Sequence, residues 1–177
     1  MYLFRNISLY TLGMEIRTSQ RTPAAEPAPA ESMTGQPRRV VLDTNAVLDW
    51  LLFDGPELQP TNAAVKLGRL LPITNDACFA ELERVLRYPR LRLDEARRAA
   101  LLTAYRAAVQ WIDAAAGEDV PRCRDRDDQK FLDLAAAARA DFLVTRDARV
   151  LAMSRRMEKR FGVRVVTLDG LNALLRA

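Results

Sequence analysis

From residue 40 onward the chain alternates short apolar runs with longer stretches whose apolar residues recur every three or four positions. Residues 40–42, 71–74, 142–144 and 164–166 read as buried strands. Residues 45–53 read as a helix with Val47, Leu48, Leu51 and Leu52 on one side, and Asp54-Gly55-Pro56 stops it. Thr61 or Asn62 caps a second helix that reaches residue 70. Asn75 or Asp76 caps a third that reaches residue 87, ahead of Pro89. Residues 93–115 read as one long helix, with Leu101, Leu102, Tyr105, Val109 and Ile112 inward and Gly117 as its end. Later helices fall at 128–139, 148–160 and 168–175. The inner side of the first of these is Phe131, Leu132, Leu134, Ala135 and Ala138. Strands that alternate with helices in this way predict an α/β fold, a parallel sheet with helices on both faces.

Residues 1–38 do not share the pattern. Residues 22–37 are rich in Ala, Pro, Glu and Ser and have no apolar period. A disordered tail over 1–38 and one domain over 39–177 are expected. The first ten residues are partly apolar, but Arg5, Asn6 and Ser8 break the run that a signal peptide needs. Met14 and Met33 offer later start positions. No stretch approaches the roughly 18–20 apolar residues of a membrane-spanning helix, so no membrane partner is expected.

Composition narrows the chemistry more than the fold. The chain has no histidine. That removes Ser-His-Asp and Cys-His catalysis, histidine-dependent metalloproteases and nucleases, and His-ligated zinc. Any metal must be held by carboxylates, amide oxygens and water, which favour Mg²⁺, Mn²⁺ or Ca²⁺. Cys78 and Cys123 lie far apart without metal-ligand spacing. They fit a reducing cytoplasm and read as small buried residues.

Charge adds a contrast. Of 27 Lys and Arg residues only Lys66, Lys130 and Lys159 are lysine, and the net charge is +4. With four acids occupied by metal, the rest of the domain surface would be distinctly basic. An acidic pit in a basic frame suits a polyanion that meets metal at the phosphate to be cut.

Four acids stand where such a pit could form. Asp43 follows the first strand and Asp147 a later one, each just before a helix. In a parallel sheet, ligands bind beyond the carboxyl ends of the strands. Each of these residues also suits a plain helix cap. Asp128 opens a helix and could cap it or meet its dipole. Asp125, Asp127 and Asp128 crowd together, a repulsion that a divalent cation or the neighbouring Arg124 and Arg126 would relieve. Glu81 borders the buried stripe of its helix, on the side of Arg84 and Tyr88, with Glu83 as competitor.

The stretches Val40-Val41-Leu42-Asp43-Thr44-Asn45, Ala80-Glu81-Leu82-Glu83-Arg84-Val85-Leu86, Arg124-Asp125-Arg126-Asp127-Asp128-Gln129-Lys130-Phe131-Leu132 and Ala140-Asp141-Phe142-Leu143-Val144-Thr145-Arg146-Asp147 resemble, in order, the motifs of the PIN domain. They are most similar to its bacterial toxin members from toxin–antitoxin pairs. The resemblance implies a doubly wound, mostly parallel sheet of about five strands in a 3-2-1-4-5-like order. It implies a Mg²⁺- or Mn²⁺-dependent nuclease acting on single-stranded RNA. By motif, Asp43, Glu81, Asp128 and Asp147 would be the catalytic metal ligands. Asn45 and Thr145 would support the first and last acids. Asp125 would be a further supporting acid, and Asp125 and Asp127 remain alternatives to Asp128 as third ligand. Toxins of this kind pair with a small antitoxin and often form homodimers.

Arg84, Arg87 and Arg146 are candidate RNA contacts, since Arg matches phosphate geometry. Arg90, Arg92 and Arg149 lie close to them in sequence. Trp50 and Phe53 fit core packing or a dimer face better than base stacking. The main rival is a catalytically silent module of the same fold that binds RNA or acts as a scaffold. An aspartyl-phosphate phosphatase would need an Asp where Asn45 stands. A phosphorelay receiver would need an acidic pair after strand one and a lysine after a late strand. A flap nuclease would need a longer chain.

Overall fold

The sheet grows outward from its first strand. β1 (Arg38–Leu42) pairs in parallel with β2 (Leu70–Thr74) on one side and with β4 (Phe142–Val144) on the other. β3 (Gln110–Trp111) adds beyond β2, and β5 (Arg164–Val166) beyond β4. The order is β3-β2-β1-β4-β5, all parallel. This is the five-stranded, doubly wound arrangement that the motifs implied. The structure, a computed structural model, describes residues 36–53, 55–113, 117 and 119–176. The expected tail lies outside the described residues except for 36–38. Arg38 belongs to β1 rather than to a tail.

Eight helices connect or follow these strands among the described residues. They are α1 (Thr44–Leu52), α2 (Gln59–Lys66), α3 (Asp76–Leu86), α4 (Glu95–Ala108), α5 (Gln129–Ala137), α6 (Ala148–Leu151), α7 (Ser154–Phe161) and α8 (Leu168–Arg176). Single 3₁₀ turns at Pro56–Leu58 and Pro89–Leu91 lead towards α2 and α4. The second helix therefore begins and ends earlier than the expected 61–70, and residue 70 starts β2. None of the described helices is long and apolar enough to cross a membrane.

Alternation along the strands builds two cores. Successive side chains of a strand point to opposite faces. Val41, Ile73, Leu143 and Val165 face one side with Phe131, Leu132 and Leu134 of α5 and Met157 of α7. Val40, Leu42, Leu70, Phe142 and Val144 face the other, against α1, α2, most of α3, α4 and α8. Covering on both faces explains why the strands read as unbroken apolar runs. Cys78 and Cys123 are buried free thiols.

Two expected helices are divided. The 93–115 helix ends at Ala108, and Gln110–Trp111 pairs with Ile73 and Thr74 as β3. Flanking alanines favour helix, but Val109, Trp111 and Ile112 are strand formers, and an open edge of β2 was there to receive them. The 148–160 helix breaks at Ala152–Met153, where Met153 and Arg156 bond back three residues rather than four. The break lets the Ser154 hydroxyl donate to the Val165 carbonyl (3.1 Å).

Candidate active site

The strand order reverses between β1 and β4, and both strands end in an acid at that point. In open α/β sheets this switch is where a crevice opens outside the carboxyl ends. Asp43 follows β1 and caps α1, its Oδ1 accepting the Ala46 amide at 2.6 Å. Asp147 follows β4 and caps α6, its Oδ1 accepting the Arg149 amide at 2.7 Å. The Thr145 hydroxyl joins them: it donates to Asp43 Oδ2 (2.5 Å) and accepts the Asp147 amide (3.0 Å). Asp43 is only 4% exposed. Burial raises its carboxyl above the usual range, while the Thr145 hydroxyl, the Ala46 amide and the Arg146 charge oppose that shift.

Glu81 enters from α3. One carboxylate oxygen accepts the Thr44 hydroxyl at 2.6 Å, and the other forms an ion pair with Lys130. The Lys130 ammonium also donates to the Asp127 carbonyl. It thus fastens the loop before α5 to α3. Glu83, the competitor in sequence, makes none of these contacts.

Asp128 occupies the cap position of α5 but does not cap it. Its backbone is helical (φ −86°, ψ −11°), and its side chain accepts no cap hydrogen bond. The carboxylate instead faces the other acids. Burial first, then the charges of Asp147, Asp125, Asp43 and Glu81, push its pKa up to about 6. Asp43, Glu81, Asp125 and Asp147 thus lie near enough to Asp128 to act on it through their charges. Asp127 is exposed and contributes its carbonyl and amide rather than its carboxylate. Asp125 accepts the Asp127 amide (3.1 Å) and an ion pair from Arg149 (2.7 Å).

The donor set is wholly of hard oxygens and carries mutual repulsion, which suits a divalent cation. As they stand, no three His, Cys, Asp or Glu groups among the described residues are drawn together at caging distance. The oxygens of Asp43 and Glu81 are turned to protein donors instead.

Asn45 is exposed, and among the described residues it makes no bond to Asp43. Thr145 and the Ala46 amide hold that acid. Arg146 pairs loosely with Asp49 (3.2 Å) at the crevice. Arg84 turns its guanidinium to the Tyr88 hydroxyl (2.7 Å), and Arg87 is exposed at the end of α3. Trp50 donates to Asn62 and packs edge-on against Tyr105, as core packing requires, whereas Phe53 is 60% exposed. Sequence reading missed Thr44 and Lys130. Lys130 carried one faint signal, as one of three lysines in an Arg-dominated chain and two residues from Asp128.

A model of the PIN domain family matches residues 39–149. The chain belongs to the PIN domain family. The matched span contains Asp43, Glu81, Asp128 and Asp147. PIN domains are typically nucleases, bind nucleic acid and generally use divalent metal ions. None of the curated proteins compared with the chain matches it.

Proposed function

We propose that this PIN domain is a Mg²⁺- or Mn²⁺-dependent endoribonuclease that cleaves single-stranded RNA, acting as the cytoplasmic toxin of a toxin–antitoxin pair. The observation that carries the nuclease reading is Asp128. Its side chain is not used as a helix cap, and the charges of Asp147, Asp125, Asp43 and Glu81 all bear on it beside the switch point. The toxin role and the small antitoxin rest on the likeness of the motifs, and a homodimer is the assembly that this reading favours.

Asp43, Glu81, Asp128 and Asp147 would hold the ion, and Asp125 would support the loop that carries Asp128. A bound Mg²⁺ supplies a water made nucleophilic at neutral pH and a place for charge developing on the phosphate. The chain's own residues do the rest. Thr145 fixes one Asp43 oxygen and sets the backbone of Asp147, so the two strand-end acids keep one geometry. Thr44 orients Glu81. Arg146, whose partner Asp49 is held only at 3.2–3.4 Å, is free to turn to a phosphate beside Asp43. Arg87 can serve as a more distant phosphate contact, and Arg84 would first have to leave Tyr88.

One observation favours the alternative, an RNA-binding module without cleavage: Lys130 already neutralises Glu81. The two readings part on one experiment. Purified protein is incubated with labelled single-stranded RNA and Mg²⁺ or Mn²⁺. The wild type should cut, and Asp43→Asn should lose at least about a hundredfold in rate, in line with removal of a residue that sets metal and charge placement. Equal survival of the RNA with both proteins would sink the nuclease reading. Expression without an antitoxin should arrest growth for the wild type and not for Asp43→Asn.

A further inference from the structure

The surface of α7 carries a feature that the acid site does not explain. Arg155, Arg156, Lys159 and Arg160 line an open groove of about 480 Å³. They form two i, i+4 pairs, so they stand in two rows on one side of the helix, where like charges repel and weaken it. The helix dipole accounts for Lys159 and Arg160 in the last turn. It opposes Arg155 and Arg156, which stand in a first turn that holds no acid. The acid of this helix, Glu158, lies outside the groove lining and pairs with Arg164 (3.6 Å). Of the four groove cations only Arg160 has a carboxylate partner among the described residues, the exposed Asp119 at 3.3 Å. Like charge placed against the dipole is a cost that a bound anion would relieve.

Ser154, at the start of α7, bonds to Val165, and β5 pairs with β4 three residues before Asp147. From there the four cations descend along α7. A chain of phosphates lying along α7 would meet them in succession. An acidic protein would fit less well, because protein interfaces centre on apolar anchors. The large apolar side chains left exposed among the described residues, Phe53 and Leu67, sit at the ends of α1 and α2, whereas α7 packs on β5 and α5.

We infer that the α7 groove binds the phosphate backbone of single-stranded RNA outside the cleavage site, so that the enzyme grips a strand on one flank of the scissile bond. This rests on the nuclease reading for its substrate, and its test does not depend on cleavage. Binding of labelled polyuridine is measured by anisotropy, in EDTA, on Asp43→Asn protein with and without Arg155→Ser, Arg156→Ser and Lys159→Ser. The triple substitution should weaken binding about tenfold or more at low salt. It should also flatten the plot of log affinity against log salt by about 2, at roughly 0.7 per lost phosphate contact. An unchanged affinity and slope overturns the groove, whether or not the wild type cuts RNA. If thermal unfolding shows the triple variant misfolded, Arg156→Ser alone, expected to flatten the slope by about 0.7, decides the matter. Polyglutamate that binds as tightly as the RNA and loses affinity equally in the variant would overturn the assignment to RNA in favour of a protein partner.

Discussion

Thr145 ties together acids that the chain places about a hundred residues apart, 102 between its hydroxyl and Asp43. Its neighbour in the cluster, Asp128, has the most telling electrostatics. Its pKa of about 6 lies above the roughly 3.9 of an unfolded Asp. Between those values the folded state holds the proton more often than the unfolded state, so this carboxyl lowers stability as pH rises. Urea unfolding in EDTA should show a wild-type midpoint that declines from about pH 4 to pH 6 relative to Asp128→Asn, with the difference constant above about pH 7. A constant difference across the whole range would mean that Asp128 is not crowded by its neighbours. At this scale the sequence was informative about residue type and weak about direction. It marked the strand-end acids, because an apolar run that stops at Asp is legible. The likeness of the motifs, rather than the residue itself, pointed to Asn45 as a support of the first acid. The rotation of α1 about its axis decided otherwise: it sends Thr44 inward to Glu81 and Asn45 to solvent.

Among elements, the sheet was largely legible and the helix ends were not. β1, β2, β4 and β5 are apolar on both faces and could be read as runs. β3 has two residues and hides behind an alanine-rich helix, so its existence depends on β2 offering a free edge. The junction of α3 with α5 could not be read at all, because it rests on a contact 49 positions apart in the chain, Glu81 with Lys130. The pair is partly buried, with 21% and 14% of the side chains exposed. Exposed pairs are worth about 0–1 kcal/mol and broken buried pairs cost about 3–5, so Lys130→Met should cost roughly 1–3 kcal/mol in metal-free protein. Glu81→Gln alone leaves an unpaired ammonium, and the double variant should recover part of the loss. A double-mutant cycle by urea unfolding measures the coupling. Strict additivity would mean that the pair does not clamp the two helices.

For the whole molecule, the charges are sorted rather than spread. The net charge is +4, yet the charges of four other carboxylates bear on Asp128 beside the switch between β1 and β4, and four cations line one flank of α7. A cluster of like charges opposes folding unless something neutralises it, and Lys130 does so for Glu81 and Arg149 for Asp125, which leaves Asp43, Asp128 and Asp147 without an ion pair among the described residues. A divalent cation that binds the folded cluster and not the dispersed acids of the unfolded chain must therefore stabilise the fold. At a free concentration of about 100 times Kd the gain is about 2.7 kcal/mol, which for a domain of this size raises Tm by roughly 5–10 °C. Scanning calorimetry with Mg²⁺, Mn²⁺ or EDTA reads this directly, and Asp43→Asn should abolish most of the rise. The same scan separates roles within the cluster. Asp128→Asn should raise the metal-free Tm, since it removes a repelled charge, while shrinking the response to Mg²⁺. A variant that instead lowers the metal-free Tm and keeps the full metal response would make Asp128 a structural residue and leave the third ligand to Asp125, whose carboxylate Arg149 now holds.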